Sequence, residues 1–266
     1  MATQIGVVLP GDPIPLDSVI PPSTSEPVIQ LGPGTLHIPP STILPVRAGA
    51  LTASTTSTPT TSTTTIYVDN STGRYTPAVH DVVIGTVASR FGDLENAYYR
   101  VLLPSSTAPQ GILAASAFAN AASRKTRPNL LPGTVVYARV AAMSLALGEP
   151  ELECFDERTG KEAGFGELKG GMVADISVGL ARRLLLLSSA AAAKANSGRL
   201  SVVDVLGQTL AFEIAVGRNG RIWVNSDSCA TTVAVIRAIQ ETEFMTYHDM
   251  QDHVAKIVKN LQRSQK

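Results

Sequence analysis

Short runs in which apolar and polar residues alternate dominate the middle of the chain. Such runs predict β-strands, because successive side chains of a strand point to opposite faces of its sheet. Gly, Pro, Asn and Ser separate the runs and mark turns. Five runs follow one another: Val82–Ala88, Ala97–Leu103, Gly111–Ala115, Val135–Met143 and Leu152–Phe155. This succession of short strands predicts a closed β-barrel of the OB type.

Beyond residue 156 the pattern mixes strand and helix. Gly171–Val178 predicts a strand, and Gly179–Lys194 predicts a helix. The helix is indicated by leucines at helical spacing, which are Leu180, Leu184 and Leu187. Two further strands and two further helices are predicted at Leu210–Val216, Arg221–Val224, Cys229–Phe244 and Tyr247–Gln262. We therefore expect an α/β domain in this part of the chain.

The first 51 residues carry short apolar pieces among Pro and Gly, which predict small strands and turns. Thr52–Thr65 is almost wholly Thr, Ser, Ala and Pro, and buries too little apolar surface to offset its ordering entropy. It predicts a mobile loop or linker, with a glycosylated stalk as the alternative. The expected fold class is mixed β and α+β, with several domains. Their predicted bounds are 1–65 for a small N-terminal β domain with the Thr/Ser-rich loop 52–65, 66–156 for the barrel, and 157–266 for the α/β domain.

The chain has 22 basic and 22 acidic residues, so its total charge favours no class of partner. The charge is nevertheless unevenly distributed. Residues 96–148 contain no Asp or Glu but five cations, which are Arg100, Arg124, Lys125, Arg127 and Arg139. Cations that serve only solubility are usually interspersed with acids. The basic loop Ser123–Pro128 therefore predicts phosphate contact, and a merely solvated loop is the alternative.

Aromatic rings accompany this basic stretch. An OB-type barrel binds single-stranded nucleic acid on one face, through positive charge and exposed rings. Four rings lie on or near the predicted strands: Phe91, Tyr98, Tyr99 and Phe118. We expect them to belong to the core, the commoner role of such rings, with base stacking as the alternative.

The segment Gly217–Val224 contains a Gly-x-x-Gly motif and the only tryptophan, Trp223. KH domains use such a loop to clamp a nucleic-acid backbone, but their loop joins two helices. Here the motif lies between two predicted strands, and Asn219-Gly220 is a strong hairpin signal because both residues tolerate positive φ. A structural turn is therefore predicted, with a backbone clamp as the alternative. Trp223 is expected in a core or a module interface.

Several motifs occur in the order found in RNA exosome cap subunits. They are Tyr75-x-Pro77, Asp81-x-Val83-Ile84-Gly85, the block Arg124–Asn129, Pro132-Gly133, Glu149-Pro150-Glu151-Leu152 and Gly217–Val224. On these motifs the chain resembles the family of ribosomal RNA-processing protein 40, also called exosome component 3, over nearly its whole length.

The resemblance implies an N-terminal β domain, an S1-type OB-fold domain and a KH domain in a non-catalytic cap subunit. Such a subunit lies beside other cap subunits on a ring of RNase PH-like subunits. Its S1 domain lines the entrance of a central channel. The subunit guides single-stranded RNA to a separate 3′-to-5′ exoribonuclease. The implied processes are RNA degradation and RNA processing, including rRNA maturation. The implied locations are the nucleus, the nucleolus and the cytoplasm.

The resemblance also assigns roles to residues. By the resemblance, Arg124, Lys125 and Arg127 would face the RNA path. Arg100 and Arg90 are added to these as RNA-binding candidates because they are further cations of the same barrel. The structural KH motif comprises Gly217, Asn219, Gly220 and Trp223, of which the two glycines and the asparagine would fix the KH domain against its neighbour.

Four positions or segments depart from the family pattern. Thr134 stands where Asp is common, His80 where Gly is common, and Arg100 where an acidic residue is usual. Ser188–Asn196 resembles an insertion. Two alternatives stay open, namely the sister S1/KH cap subunit, ribosomal RNA-processing protein 4, and a free-standing S1/KH RNA-binding regulator.

No enzyme class is favoured. His248 and His253 share a predicted helix with Asp249 and Asp252, and a solvated helix face explains them better than a metal or a nuclease site. Cys154 and Cys229 lack metal-like spacing and are expected to be buried thiols in a reducing compartment. We expect no cofactor, no metal, no small-molecule substrate and no membrane contact, in a soluble intracellular protein.

Overall fold

A computed structural model describes residues 2–14, 28–32, 34–57, 62–70, 74–93, 97–119, 121, 126–144, 148–188, 202–245 and 247–264. The chain divides into two compact units, Met1–Gly73 and Arg74–Lys266. Among the described residues, no helix is both long enough and apolar enough to cross a membrane.

The first unit consists of β-structure. Its strands are β1 (Ala2–Val8), β2 (Val28–Leu31), β3 (Thr35–Ile38), β4 (Thr42–Pro45), β5 (Gly49–Ser57) and β6 (Ser62–Asp69). Four of them form a sheet in the order β1-β5-β6-β2, and β3 and β4 form a separate hairpin. Ile43, Leu51 and Ile66 are buried in the core of this unit. The small N-terminal β domain expected from the sequence is thus present.

The Thr/Ser-rich stretch is not the mobile loop that we expected. Its described residues belong to β5 and β6, which pair in antiparallel register from Ala50↔Asp69 to Ser57↔Ser62. Residues 58–61 lie outside the described part of the chain. Thr is β-branched and favours strands, and the ladder gives the backbone polar groups hydrogen-bond partners. The predicted boundary at residue 65 therefore falls inside β6, and the first unit continues to Gly73.

The second unit begins with a barrel. Its strands are β7 (Val82–Gly92), β8 (Ala97–Leu102), β9 (Gln110–Phe118), β10 (Val135–Met143), β11 (Pro150–Cys154) and β12 (Gly166–Leu168). The order is β11-β9-β8-β7-β10-β12, and the additional pairing of β11 with β10 closes five strands into the predicted OB-like barrel. Val83, Val101, Leu113 and Val136 fill its interior. The short strand β12 also pairs with β10, so the barrel sheet extends past the predicted boundary at residue 156.

A three-stranded sheet with helices completes the second unit. Its elements are β13 (Met172–Asp175), α1 (Val178–Ser188), α2 (Val202–Gly207), β14 (Glu213–Gly217), β15 (Arg221–Asn225), α3 (Cys229–Glu241) and α4 (Tyr247–Ser264). The sheet order is β13-β15-β14. Ile222, Val224, Val235 and Ile239 are buried between the sheet and the helices. All predicted elements of this region occur, whereas the short helix α2 was not predicted. Residues 189–196 of the expected insertion lie outside the described residues.

Glycine at position 85 is required by the packing of β7 on β8. A Cβ atom added there would lie 2.9 Å from the Leu102 carbonyl oxygen and closer still to the Val101 side chain. We expect Gly85→Ala to lower the free energy of unfolding by about 1–3 kcal/mol, because the barrel has no room for the methyl group. Urea unfolding followed by circular dichroism measures this loss.

The matched control is Gly207→Ala at the exposed end of α2, where an added Cβ meets nothing within 4 Å. This variant is expected to unfold at or above the urea concentration of the parent. Equal midpoints for Gly85→Ala and the parent would contradict the close packing at Gly85.

Candidate nucleic-acid interface

A stacked aromatic pair lies on the outer face of the barrel, where β7 ends and β8 begins. Phe91 is paired in register with Tyr98, and their ring centroids are 5.7 Å apart with an angle of 21° between the ring planes. The Arg100 guanidinium carbon lies 5.6 Å from the Phe91 ring centroid. Phe91 is 39% exposed and Tyr98 is 38% exposed. This surface therefore presents aromatic rings together with a positive charge to solvent.

The alternation along β8 explains which ring is outside. Ala97, Tyr99 and Val101 point into the barrel, so Tyr98 and Arg100 point outward. The buried Tyr99 hydroxyl donates a hydrogen bond to the Pro128 carbonyl oxygen at 2.7 Å. The core role expected of all four rings therefore holds for Tyr99 and for the partly buried Phe118, but it was wrong for Phe91 and Tyr98. Tyr98 and Arg100 are two positions apart in β8, so they lie on the same face of the strand. A charged residue usually marks the solvent-facing side, and the sequence therefore indicated that Tyr98 is exposed.

The predicted RNA-binding cations are only partly covered by the structure. Arg124 and Lys125 lie outside the described residues. Arg90 donates from Nη1 to the Asn129 side-chain oxygen at 3.0 Å, which ties the end of the basic loop to β7. Arg127 is half-buried, and its Nε donates to the Ala121 carbonyl oxygen at 3.4 Å. Arg90 of β7 and Arg100 of β8 both lie within two residues of the aromatic pair along their strands.

Arg139, the fifth cation of the acid-free stretch, is not available to a phosphate. It is buried, its Nη2 pairs with Glu153, and its Nη1 donates to Glu157 Oε2 at 2.6 Å. Nη1 also lies 2.8 Å from His80 Nδ1. His80 has a left-handed backbone with φ of 71°, which explains why glycine is common at this position in the family that the motifs resemble. Acids beyond residue 148 therefore neutralise Arg139 inside the second unit.

The Gly-x-x-Gly segment forms a tight turn between β14 and β15, and this turn packs against β7 of the barrel. Asn219 is fully buried, at 0% exposure. Its Nδ2 donates to the Ile84 carbonyl oxygen at 2.9 Å, and the Ile84 N–H donates to Asn219 Oδ1 at 3.2 Å. The Arg218 N–H donates to the Val82 carbonyl oxygen at 2.7 Å. One side-chain amide thus acts as a strand backbone would, satisfying a donor and an acceptor of Ile84.

The two glycines of the turn are needed for this close approach. A Cβ atom on Gly217 would lie 2.8 Å from the Ile84 nitrogen, and one on Gly220 would lie 2.8 Å from the Ile176 carbonyl oxygen. Gly220 also has a φ of 75°, which disfavours other residues. The turn is therefore filled by protein contacts, unlike a loop that offers free backbone N–H groups to a phosphate.

Further contacts extend this junction. Trp223 packs against Ile84, and its Nε1 donates to the Gly170 carbonyl oxygen at 2.9 Å. The Tyr137 hydroxyl donates to the Val216 carbonyl oxygen at 3.4 Å. Burial raises the pKa of Tyr137 to about 12, so this hydroxyl keeps its proton at neutral pH. Barrel and sheet are therefore joined by apolar packing as well as by the Asn219 amide.

An ion pair lies beside the turn. Arg218 Nε lies 3.3 Å from Asp81 Oδ1, and the Tyr75 hydroxyl donates to Asp81 Oδ2 at 2.9 Å. Burial, and then the charge of Asp81, raise the pKa of Tyr75, so its hydroxyl remains a donor. The motif residues Tyr75 and Asp81 are thereby connected to the same junction as the turn.

The remaining candidates for chemistry are dispersed. His248 lies 3.8 Å from Asp252, whereas His253 Nε2 lies 2.7 Å from Glu241 Oε2 of α3. Within the described ranges, no group of three or more His, Cys, Asp or Glu residues could hold a metal ion. Cys154 is buried, and burial raises its pKa to about 12, but Cys229 is exposed at the start of α3, so the prediction that both thiols are buried was wrong.

The chain matches known families in three consecutive parts. Residues 29–74 match the N-terminal domain of the exosome complex exonuclease Rrp40, residues 75–166 match the S1 domain of the exosome complex component RRP40, and residues 171–228 match a KH domain. These ranges follow one another without overlap.

Whole-chain relatives agree with the domain matches. The chain is 40% identical to the exosome complex component rrp40 of Schizosaccharomyces pombe over 256 residues, which are 95% of this chain and 94% of the relative. It is 37% identical to exosome complex component RRP40 of Saccharomyces cerevisiae over 88% of this chain and 87% of that protein. It is 35% identical to the Drosophila melanogaster component over 91% of each chain.

A solved structure described as an exosome complex RNA-binding protein has the same fold. The TM-score is 0.53 at 22% identity, covering 73% of this chain and 99% of that one. At this identity the likeness concerns the fold alone.

Removing the Asn219 amide tests the junction. Asn219→Ala is expected to lower the free energy of unfolding by about 2–4 kcal/mol, because it leaves a buried N–H and a buried C=O of Ile84 without partners. Urea unfolding followed by the fluorescence of Trp223, the only tryptophan, measures this loss at the junction itself. The control is Gln208→Ala at an exposed position just after α2, expected within about 0.5 kcal/mol of the parent. A parent-like Asn219→Ala would refute the structural role of the amide.

Proposed function

The chain belongs to the exosome complex component RRP40 family, and from this premise we propose that it is a non-catalytic, RNA-binding cap subunit of an RNA exosome. The observation that carries the proposal is the identity to RRP40 relatives over 88–95% of this chain, through the N-terminal, S1 and KH parts alike. The relatives named RRP40 favour this assignment over the sister cap subunit and over a free-standing regulator.

RNA contact is proposed on the barrel rim. Arg90 and Arg100 lie there, and Arg124, Lys125 and Arg127 belong to the loop that Asn129 ties to β7. Cations at the mouth of a channel lower the electrostatic cost of holding a polyanion, and threading a single strand requires no base-specific hydrogen bonds. The subunit would guide single-stranded RNA towards a separate 3′-to-5′ exoribonuclease, in RNA degradation and in rRNA maturation. The nucleus, the nucleolus and the cytoplasm are the proposed locations.

The KH part is proposed to be structural rather than RNA-clamping. Its turn is filled by the contacts of Asn219 and Arg218 with the barrel. Gly217, Asn219, Gly220 and Trp223 would accordingly hold the S1 and KH parts together.

Assembly with RNase PH-like ring subunits is proposed to use the N-terminal unit. Val7 at the end of β1 is 77% exposed, and four more large apolar side chains of this unit are exposed as well: Leu9, Leu36, Ile38 and Val46. Two backbone hydrogen bonds link these segments, from Gly11 N to Pro45 O at 3.0 Å and from Val46 N to Gly34 O at 2.9 Å. So many exposed apolar side chains on a small unit mark a protein interface.

Charge reversal in the basic loop tests the RNA path. Arg124→Glu with Lys125→Glu is expected to weaken capture of single-stranded RNA by the assembled complex at least tenfold, because two phosphate contacts are lost and two repulsions are added. RNA protection at low salt measures capture, and gel filtration verifies that the subunit still assembles. The matched control is Lys256→Glu with Lys259→Glu on exposed α4, which should leave capture unchanged. Unchanged protection with the loop variant would reject the proposed path.

An apolar-to-acid change on the N-terminal unit tests assembly. Leu9→Asp with Leu36→Asp is expected to reduce copurification of RNase PH-like subunits with the tagged chain, because both exposed side chains would lie in the interface. Phe244→Asp, at an exposed apolar position of the second unit, is the control. Full recovery of ring subunits with the double variant would exclude this surface. Failure of the parent chain to recover ring subunits would instead favour a free-standing regulator.

The non-enzymatic role has its own test. The purified chain is expected to leave labelled single-stranded RNA intact in the presence of Mg²⁺. Degradation that is abolished by Asp249→Asn or His253→Gln would support a nuclease instead.

A further inference from the structure

Tyr99 carries a hydroxyl group that the apolar core of the barrel does not require. Its side chain is 1% exposed and lies among apolar residues, where a phenylalanine would fill the same space. A buried hydroxyl is costly unless it has hydrogen-bond partners. This one donates to the Pro128 carbonyl oxygen at 2.7 Å and accepts from the Leu130 N–H at 3.3 Å. One side chain of β8 therefore holds both ends of the segment Pro128–Leu130.

Arg90 of the neighbouring strand holds the middle of the same segment. It is paired in register with Tyr99, so the two side chains leave the sheet on the same face. Arg90 Nη1 donates to the Asn129 side-chain oxygen at 3.0 Å. The two peptide groups that flank Asn129 are those bonded to Tyr99, so the backbone that directs the Asn129 side chain is fixed as well. Three hydrogen bonds from β7 and β8 thus fix Pro128–Leu130 on the barrel.

The fixed segment directly follows the RNA-binding candidate Arg127. The ring of Pro128 fixes its own φ and disfavours helical backbone at the residue before it. On its other side, Arg127 Nε donates to the carbonyl oxygen of the buried Ala121 at 3.4 Å. The position of Arg127 relative to the barrel is therefore set by these contacts. A cation that is held in place before RNA arrives loses less conformational entropy on binding.

We propose that Tyr99 is a positioning residue for RNA binding, because its hydroxyl fixes Pro128–Leu130 and so holds Arg127 in position for a phosphate of the RNA. The inference rests on the proposed RNA-binding function and adds to it a buried group that sets the affinity. Tyr99 itself does not touch the RNA, since its side chain is enclosed in the barrel. Loss of a phosphate contact lowers both the affinity and its dependence on salt, whereas loss of a positioning group lowers the affinity alone.

The experiment measures binding of a single-stranded oligouridine to the full-length chain by fluorescence anisotropy at several salt concentrations. Tyr99→Phe is expected to weaken binding about 2- to 10-fold, the cost of ordering one long side chain on binding, and to leave the salt dependence unchanged. Asn129→Ala keeps the charge of Arg90 but removes its anchor, and should act in the same way. Arg127→Gln should weaken binding and also reduce the salt dependence by about one phosphate contact.

A double-mutant cycle tests whether Tyr99 acts through Arg127. Once the cation is removed by Arg127→Gln, its position no longer matters to the RNA. Adding Tyr99→Phe to Arg127→Gln should therefore weaken binding no further. An undiminished effect of Tyr99→Phe in this background would overturn the proposed route.

Two variants control for the loss of a hydroxyl and for the loss of stability. Tyr137→Phe removes another tyrosine hydroxyl of the barrel that donates to a backbone carbonyl oxygen, that of Val216 in the C-terminal sheet, and should bind oligouridine like the parent. Gly85→Ala destabilises the barrel without touching the segment, and should bind like the parent below its unfolding transition. Hydrogen exchange of the Leu130 amide should be faster in Tyr99→Phe than in the parent, because this amide loses its acceptor.

The outcomes separate this inference from the proposed function. Parent-like binding by Tyr99→Phe, a reduced salt dependence in this variant, or unchanged exchange of the Leu130 amide would each overturn the positioning role while RNA binding itself stands. An equal loss of binding in Tyr137→Phe would assign the effect to the barrel as a whole, and the inference would again be wrong. No binding of oligouridine by the parent chain would contradict both proposals.

Discussion

One buried side-chain amide joins the barrel to the C-terminal sheet. Asn219 gives and receives a hydrogen bond with the backbone of Ile84, and the Arg218 N–H bonds to Val82 on the same strand. Buried backbone polar groups are costly unless paired, so β7 and the turn depend on one another. A side chain at Gly217 would collide with this contact, and one at Gly220 would collide with the Ile176 carbonyl oxygen. KH domains use a Gly-x-x-Gly loop to bind nucleic acid. In this chain the Gly-x-x-Gly turn instead joins the barrel to the C-terminal sheet of the second unit.

This junction constrains where RNA can bind. With the turn filled, charge and aromatic surface are found together at the other end of β7, around Phe91, Tyr98 and Arg100. Arg139, at the junction end of the barrel, is neutralised by Glu153 and Glu157. The same strand β7 therefore holds the KH part at its beginning and presents the proposed RNA surface at its end. A neutral chain can bind a polyanion in this way, because its cations and acids are sorted in space.

Most of the fold was predicted from the alternation of apolar and polar residues and from turn signals in the sequence. The barrel strands and the Asn219-Gly220 hairpin follow from local patterns, since each depends on neighbours in the sequence. The Thr/Ser-rich strands were missed because their stability comes from pairing β5 with β6 and from β-branched side chains, not from apolar content. Helix α2 is only six residues long, too short for a periodic signal.

The candidate site was likewise only partly predictable from the sequence. The acid-free stretch was visible in the sequence, but the partner of Arg139 was not, because Glu153 reaches it only through the register of β10 with β11. The role of Asn219 was inferred from family resemblance, and its actual partner, Ile84, lies 135 positions away in the chain. Long-range pairings of this kind have no local signature. Tyr98 was different, since strict alternation with buried Tyr99 already indicated its exposure.

The central claim is that RNA meets the barrel rim and not the Gly-x-x-Gly turn. The most direct test is photo-crosslinking of 4-thiouridine-containing single-stranded RNA to the assembled complex, with the crosslinked residues of this chain identified by mass spectrometry. Crosslinks are predicted at Phe91, Tyr98 and the loop Ser123–Pro128. Crosslinks confined to Gly217–Gly220 would contradict the account.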